Sequence, residues 1–402
     1  MASQSIIFRE TKQGKGFYIL LAVLGAFLAL GALSFFHAEH HGHHVTGMNN
    51  QIVWGLPHVF AIFLIVAASG ALNVGSIGTV FGKKIYQPMG RLSALLAISL
   101  LVGGLIVLVL DLGHADRLII AMTHYNFKSI FAWNIILYNG FLVLSAIYIW
   151  TMMDRKAKGF YKPAGVAAFT WRLILTTGTG SIFGFLVSRD FYNSAVMAPL
   201  FIVMSFVFGL AVFILVLHFT YKWTGRELGD KVMNRLRYLL AVFIAGVLLM
   251  ELARHLTGLY ISQRIGVETF ILRDGGIYTQ LFWVVQILLG SILPLSLIFC
   301  RKLKDNRLAL LLAAGFAILG GFAQLYVILI GGQAYPLTLF PGAEVSSDYF
   351  DGAINGYTPS VWEIMLGVGG VALALVMVTI GVKVLRFLPE SLSDAVADPH
   401  SK

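Results

Sequence analysis

Ten apolar runs, each about as long as a bilayer is thick, leave this chain few folds to choose from. They lie near residues 16 to 36, 52 to 80, 89 to 110, 130 to 152, 164 to 187, 196 to 221, 238 to 262, 278 to 299, 308 to 332 and 361 to 382. A helix needs about 20 residues to cross a hydrocarbon core of roughly 30 Å. In lipid the backbone must satisfy its own N–H and C=O groups, so such runs read as helices rather than open strands. The expected fold is an all-α integral membrane protein with ten transmembrane helices. No Ser/Pro-rich linker or low-complexity block marks off a soluble unit, so residues 1 to 402 read as a single polytopic membrane domain.

The loops give the orientation. Of the 29 Lys and Arg residues, 22 lie in loops on the N-terminal side and 5 in loops on the other side, while Arg172 and Arg254 fall inside runs. The positive-inside rule therefore places both termini in the cytoplasm, and the expected location is a bacterial cytoplasmic membrane. A net charge of +10 would suggest nucleic acid in a soluble protein. Here the excess sits in short cytoplasmic turns such as Lys83, Lys84 and Arg155 to Lys162, where topology and anionic lipid account for it. The single cysteine, Cys300, excludes an internal disulfide, a four-cysteine iron–sulfur cluster and a CxxCH haem attachment. Such a redox centre would have to belong to a partner. The basic N-terminus resembles a signal peptide, but its long apolar run lacks a small-x-small exit and reads as a retained first span.

On this map His58, Asp111, His114, Arg189, Asp190, Arg254, His255 and Glu363 lie in the outer half or at the outer rim, with Glu251 near the middle. Ionisable groups at such depth imply a polar site facing the outer compartment. Pro57 and His58 open the second span, where proline costs no helix hydrogen bond. An imidazole there can bond a carbonyl and move a proton near neutral pH. Asp111 ends the third span and needs a partner: Arg117, Arg189 or a proton shared with His114 are the candidates. The turn from Ser188 to Ser194 adds Arg189, Asp190 and Tyr192 at the same level. Glu251, Arg254 and His255 share one helical face through their three- and four-residue spacing, either as an internal ion pair or as a proton-transfer relay. Arg172 and Asn73 are the main polar groups on the cytoplasmic side of the spans.

Other patterns carry less. Five histidines between His37 and His44 lie in an expected outer loop, but a specific metal site needs fixed geometry, and none is assigned. A haem b would need two histidines at matching depth, and only His58 with His255 qualifies. The loop from 333 to 360 contains Glu344, Asp348 and Asp351 with no Lys or Arg, and is either a solvated connector or a docking surface for an extracytoplasmic subunit. Leu56-Pro57-His58-Val59-Phe60 and Ala198-Pro199-Leu200-Phe201 open spans two and six alike. This suggests parallel four-helix bundles over 52–187 and 196–332, flanked by 16–36 and 361–382. Because His58 corresponds to Leu200, only the first bundle is expected to carry the polar site.

Trp54 to His58, the run Leu110-Asp111-Leu112-Gly113-His114-Ala115-Asp116-Arg117-Leu118, Asn126 to Ser129 with Trp133, and the Ser188 to Ser194 turn together resemble the NrfD/PsrC family of quinone-interacting membrane subunits. The length is similar to its larger ten-span, HybB/DsrP-like branch, and the resemblance covers about residues 50 to 335. It implies two four-helix bundles, no haem or iron–sulfur cluster in this chain, and a quinone pocket (menaquinone or ubiquinone) near the outer face. It also implies an extracytoplasmic ferredoxin-like iron–sulfur subunit, with further redox subunits of molybdopterin, hydrogenase or cytochrome type. Carried over residue by residue, His58 matches the pocket-lining polar position and Asp111 the acid ending the second bundle helix, with His114 beside it, while Tyr192 matches a quinone-contacting tyrosine more loosely. Where the family often has a polar group a turn before the histidine, this chain has Gly55. A secondary transporter and a haem b cytochrome are the competing readings; the transporter reading lacks paired Gly/Pro-broken midplane helices.

Overall fold

The computed structural model describes residues 6–11, 14–303, 306–337 and 353–397. Among them nine helices are long and apolar enough to cross a membrane: α1 (Lys15–His41), α2 (Leu56–Thr79), α3 (Lys84–Leu110), α4 (Ile130–Met153), α6 (Met197–Thr224), α7 (Asp230–Tyr260), α8 (Ile277–Phe299), α9 (Arg307–Ala334) and α10 (Val361–Val384). The remaining long helix, α5 (Tyr161–Gly184), corresponds to the fifth expected span and has 24 residues. Arg172 and the threonines at 170, 176, 177 and 179 make it less apolar.

Two expected boundaries move outward, because hydropathy marks where the membrane core ends and not where the helix ends. Helix α1 continues to His41, so His37, His40 and His41 lie on its last turns and not in a loop. The His37 ring stacks on Trp362 with centroids 3.9 Å apart. Helix α7 starts at Asp230 and carries Arg237 into the helix. That guanidinium donates to the carbonyls of Leu303 (2.9 Å) and Asn306 (2.7 Å).

Helix α2 lies at the centre, packed against α3, α5, α6, α9 and α10, whereas α1 packs chiefly on α10 at the periphery. The α2–α6 crossing is close because both helices are bare there. A Cβ on Gly70 would lie 1.6 Å from the Ser205 carbonyl oxygen, and one on Gly209 would lie 2.1 Å from the Ala71 nitrogen. Small residues allow such backbone approach, which replaces the hydrophobic driving force that lipid removes. On one face of the molecule the termini meet. The Arg226 guanidinium donates to the carbonyls of Leu388 and Pro389 (3.0 Å each), Arg9 (3.0 Å) and Glu10 (2.9 Å). Beside it Glu227–Leu228 pairs in parallel with Ser391–Leu392. The opposite face, called outer below, carries the loops that join α1 to α2, α3 to α4, α5 to α6 and α7 to α8, and the described ends of the connection from α9 to α10.

Replacing Gly209 by leucine is expected to destabilise the fold by about 1–3 kcal/mol or more, since overpacking here strikes backbone. Leucine at Gly315, where nothing lies within 4 Å of an added Cβ, serves as the control. Thermal unfolding of both variants in one detergent checks the difference.

Candidate functional site

Proline in the first turn of α2 sets the entry of the helix, and His58 follows it. Asp111 caps the C-terminus of α3. The α2–α3 packing brings these two together: His58 Nδ1 lies 2.8 Å from Asp111 Oδ2, with the side chains 15% and 4% exposed. The approach is not aligned as a hydrogen bond, and neither atom has another hydrogen-bond partner. A buried carboxylate next to an imidazole with unused hydrogen-bonding capacity is poised to take a polar ligand. The Trp54 ring lies nearly parallel to the His58 ring, centroids 6.2 Å apart, and Phe131 and Phe183 meet Trp54 edge-on at 6.2 and 5.9 Å. The pair is thus walled by flat aromatic surface.

The sequence offers Arg117, Arg189 or His114 as the partner of Asp111; the structure gives His58 instead. Arg189 is committed elsewhere, donating to the carbonyls of Gln333 (3.1 Å) and Gln51 (2.7 Å). His114 projects outward, 68% exposed, with its Nδ1 3.6 Å from Asp116. Tyr192 is buried, its hydroxyl donating to the Leu329 carbonyl at 2.7 Å. Its ring meets Phe183 edge-on at 5.3 Å, one aromatic ring behind Trp54. Burial pushes the Tyr192 phenol above its ordinary pKa, so it stays a donor.

The outer ends of α2, α9 and α10 are tied by amides. Gln333 Oε1 accepts from the backbone N–H groups of Val53 (3.0 Å) and Trp54 (3.1 Å), and its Nε2 donates to Trp54 O (3.1 Å) and Leu329 O (2.8 Å). Gln51 Nε2 donates to the carbonyls of Gln333 and Ala334, 3.0 Å each. Glu363 closes a capping box with Ser360 at the start of α10. It also accepts from the Gly47 N–H (2.8 Å) and the Tyr357 hydroxyl (2.7 Å). The Tyr357 oxygen in turn accepts the Leu56 N–H at 2.6 Å.

A second polar cluster forms around Glu251, Arg254 and His255, the three residues that share one face of α7. Arg254 Nη1 donates to Glu251 Oε2 at 3.2 Å. His255 Nε2 lies 3.3 Å from Glu251 Oε2, and its Nδ1 lies 2.6 Å from Glu268 Oε2. Gln324 Nε2 donates to Glu251 Oε1 at 2.5 Å. With a carboxylate near each ring nitrogen, His255 is held by residues of its own cluster. Sequence reasoning does not single out Glu268, Gln324, Gln51 or Gln333 as site residues. Of these only Gln324 lies inside an apolar run, where a glutamine is a usable signal because an unsatisfied amide in lipid is costly. In the half of the spans nearer the Arg226 face, Arg172 Nη2 meets Asn73 at 2.8 Å. Among the described residues no three His, Cys, Asp or Glu side chains are grouped to hold a metal ion.

These observations define a class: a polytopic helical membrane protein with buried ionisable groups beneath one face. The sequence profile described as polysulphide reductase, NrfD, matches residues 44–336, which take in the whole of α2 to α9. The chain belongs to the NrfD family. It is similar to an Hdr-like menaquinol oxidoreductase integral membrane subunit of Archaeoglobus fulgidus, 28% identical over 390 residues that cover 95% of this chain and 96% of the relative. A selenate reductase subunit from Mesobacillus selenatarsenatis is 26% identical over 404 residues, covering 90% and 93%. Protein NrfD of Escherichia coli is 23% identical over 320 residues, covering 70% and 96%.

Substituting Gln333 by alanine leaves the Val53 and Trp54 N–H groups without acceptors. Each such loss costs about 1–3 kcal/mol. The expected outcome is a lower unfolding midpoint and faster proteolysis in the segment from 46 to 54, read by mass spectrometry.

Proposed function

We propose that the protein is the membrane anchor of a multisubunit redox complex, passing electrons between a membrane quinone (menaquinone or ubiquinone) and an extracytoplasmic ferredoxin-like iron–sulfur subunit, with further redox subunits beyond it. The observation that carries this reading is the His58–Asp111 pair: two buried polar atoms 2.8 Å apart, without hydrogen bonds, beside the Trp54 ring. The residues fit a quinone. A flat ring matches the aromatic wall, and a ring carbonyl matches the imidazole as hydrogen-bond partner. When bound, the quinone supplies coupled electron and proton chemistry. His58 then holds the carbonyl and gives or takes its proton, and Asp111 orients the imidazole and balances its charge. Tyr192 sets the rear wall through Phe183, and His114 stands at the exposed rim. The names of the relatives from Archaeoglobus fulgidus and Mesobacillus selenatarsenatis, both redox-complex subunits, support the assignment.

The topology we infer has ten spans in a bacterial cytoplasmic membrane, α2 to α5 and α6 to α9 as two four-helix bundles, α1 and α10 flanking them, and both termini cytoplasmic. The meeting of the two terminal segments on Arg226 supports a shared side for them. The partner docks on the outer face. Supporting this, the segment that follows Asp111 exposes Leu112, Ile119, Ile120 and Phe127 close to the candidate site. The other expected docking element, the loop from 333 to 360, lies largely outside the described residues, at 338–352.

His58→Leu, which removes both ring nitrogens at similar volume, should lower quinol-dependent electron transfer by a factor on the order of 10² while the chain still inserts and assembles. Turnover at the wild-type rate would refute the site. Chemical cross-linking of the purified complex should join the redox partner to the segment from 112 to 128; cross-links confined to the Arg226 face would refute the docking side.

A further inference from the structure

The cluster in the second half is built differently from the His58–Asp111 pair. Glu251, Arg254 and His255 come from α7, and the segment between α7 and α8 folds Glu268 back onto them. All four are buried. Gly258 makes this possible: a Cβ there would lie 2.1 Å from Glu268 Oε1. The groups that face the cluster are Gln324 from α9, Phe282 from α8, and Phe191 from the α5–α6 turn, whose ring lies 4.1 Å from the Arg254 guanidinium. Tyr192 of the same turn lies within electrostatic reach of Arg254. Next to Glu251 is a cavity of about 20 Å³ lined by Gln286, Ser291 and Gln324 among others, room for one water molecule. Ile244, Val247 and Ala317 are its apolar lining on the side away from the outer face.

Charge counting constrains the proton content. Arg254 stays charged, and two ionised carboxylates with a neutral imidazole would leave a buried net charge of −1. A buried net charge is strongly unfavourable, so one extra proton resides on the triad Glu268, His255 and Glu251. We propose that these three residues form a proton-exchange site that opens towards the outer face at Glu268 and ends at Glu251 beside the cavity. With that proton on Glu268, the step is a relay. His255 Nε2 is 3.3 Å from Glu251 Oε2 without hydrogen-bond alignment, so a small tilt of the ring completes the path: the Glu268 carboxyl proton passes to His255 Nδ1 as the Nε2 proton passes to Glu251 Oε2. Glu268 is left ionised, Glu251 protonated and the imidazole neutral in its other tautomer. The reverse movement restores the first state without flipping the ring, so Glu251 gains and loses its proton only by way of Glu268.

The test uses the full chain in liposomes with a buffered interior and no quinone or partner, so it stands apart from the quinone reading. Infrared difference spectra after a jump in external pH should show a carboxyl C=O band that is absent in Glu251→Gln. In Glu268→Gln, and in Glu268→Asp, which keeps the charge but withdraws it from the ring, the band should respond at least tenfold more slowly. Glu363→Gln, on a different carboxylate, should leave it intact. A Glu251 band that responds at the wild-type rate in folded Glu268→Asp, or that follows the interior pH, would overturn the proposal.

Discussion

The contact on which the architecture depends is the bare crossing of α2 and α6. Within lipid, apolar side chains gain little by leaving one hydrocarbon environment for another, so helix association must come from close packing and from polar groups that find each other. At Gly70 and Gly209 the two backbones touch. That contact fixes the distance between the two halves near mid-membrane, and everything at the outer ends inherits it. Gln333 on α9 can reach the backbone at Val53 and Trp54 only if the helices beneath are held at this spacing.

The outer rim shows how a polar site is held by a network of hydrogen bonds to backbone groups. The ties are amides, phenols and carbonyls, with Arg189 spread over two carbonyl oxygens and Glu363 folded into a helix cap. Helix α9 helps by widening to a π-type turn at Val327–Gly331. There the Leu329 carbonyl accepts from both Tyr192 and Gln333. With these ties made, the His58–Asp111 pair retains unused hydrogen-bonding capacity.

The helices are legible in the sequence because a span must be apolar for its whole length; the least legible, α5, is the one diluted by Arg172 and its threonines. The outer location of His58 and Asp111 is also legible, from depth along the runs. Their pairing is not, because periodicity says which face a residue occupies but not which neighbouring helix it meets. Asp111 therefore has three candidate partners in the sequence, and its actual partner comes from across the α2–α3 interface. Glu268 escapes for a related reason: an acid in a loop is ordinarily solvated, and only the fold-back over Gly258 buries it. The glutamines escape because a search for chemistry favours ionisable groups, whereas inside a membrane a neutral amide carries nearly as much information.

The Arg226 contact has a bearing on how the molecule is made. Its guanidinium joins carbonyls at residues 9 and 10, ahead of α1, to carbonyls at 388 and 389, beyond α10. Chains are synthesised at about 5–20 residues per second, so the early segment and Arg226 itself wait many seconds for their remaining partner. The knot can be tied only after α10 has been inserted. The contact therefore follows the insertion of α10, and in a chain whose late helices have failed to enter the bilayer Arg226 keeps only two of its four carbonyl partners.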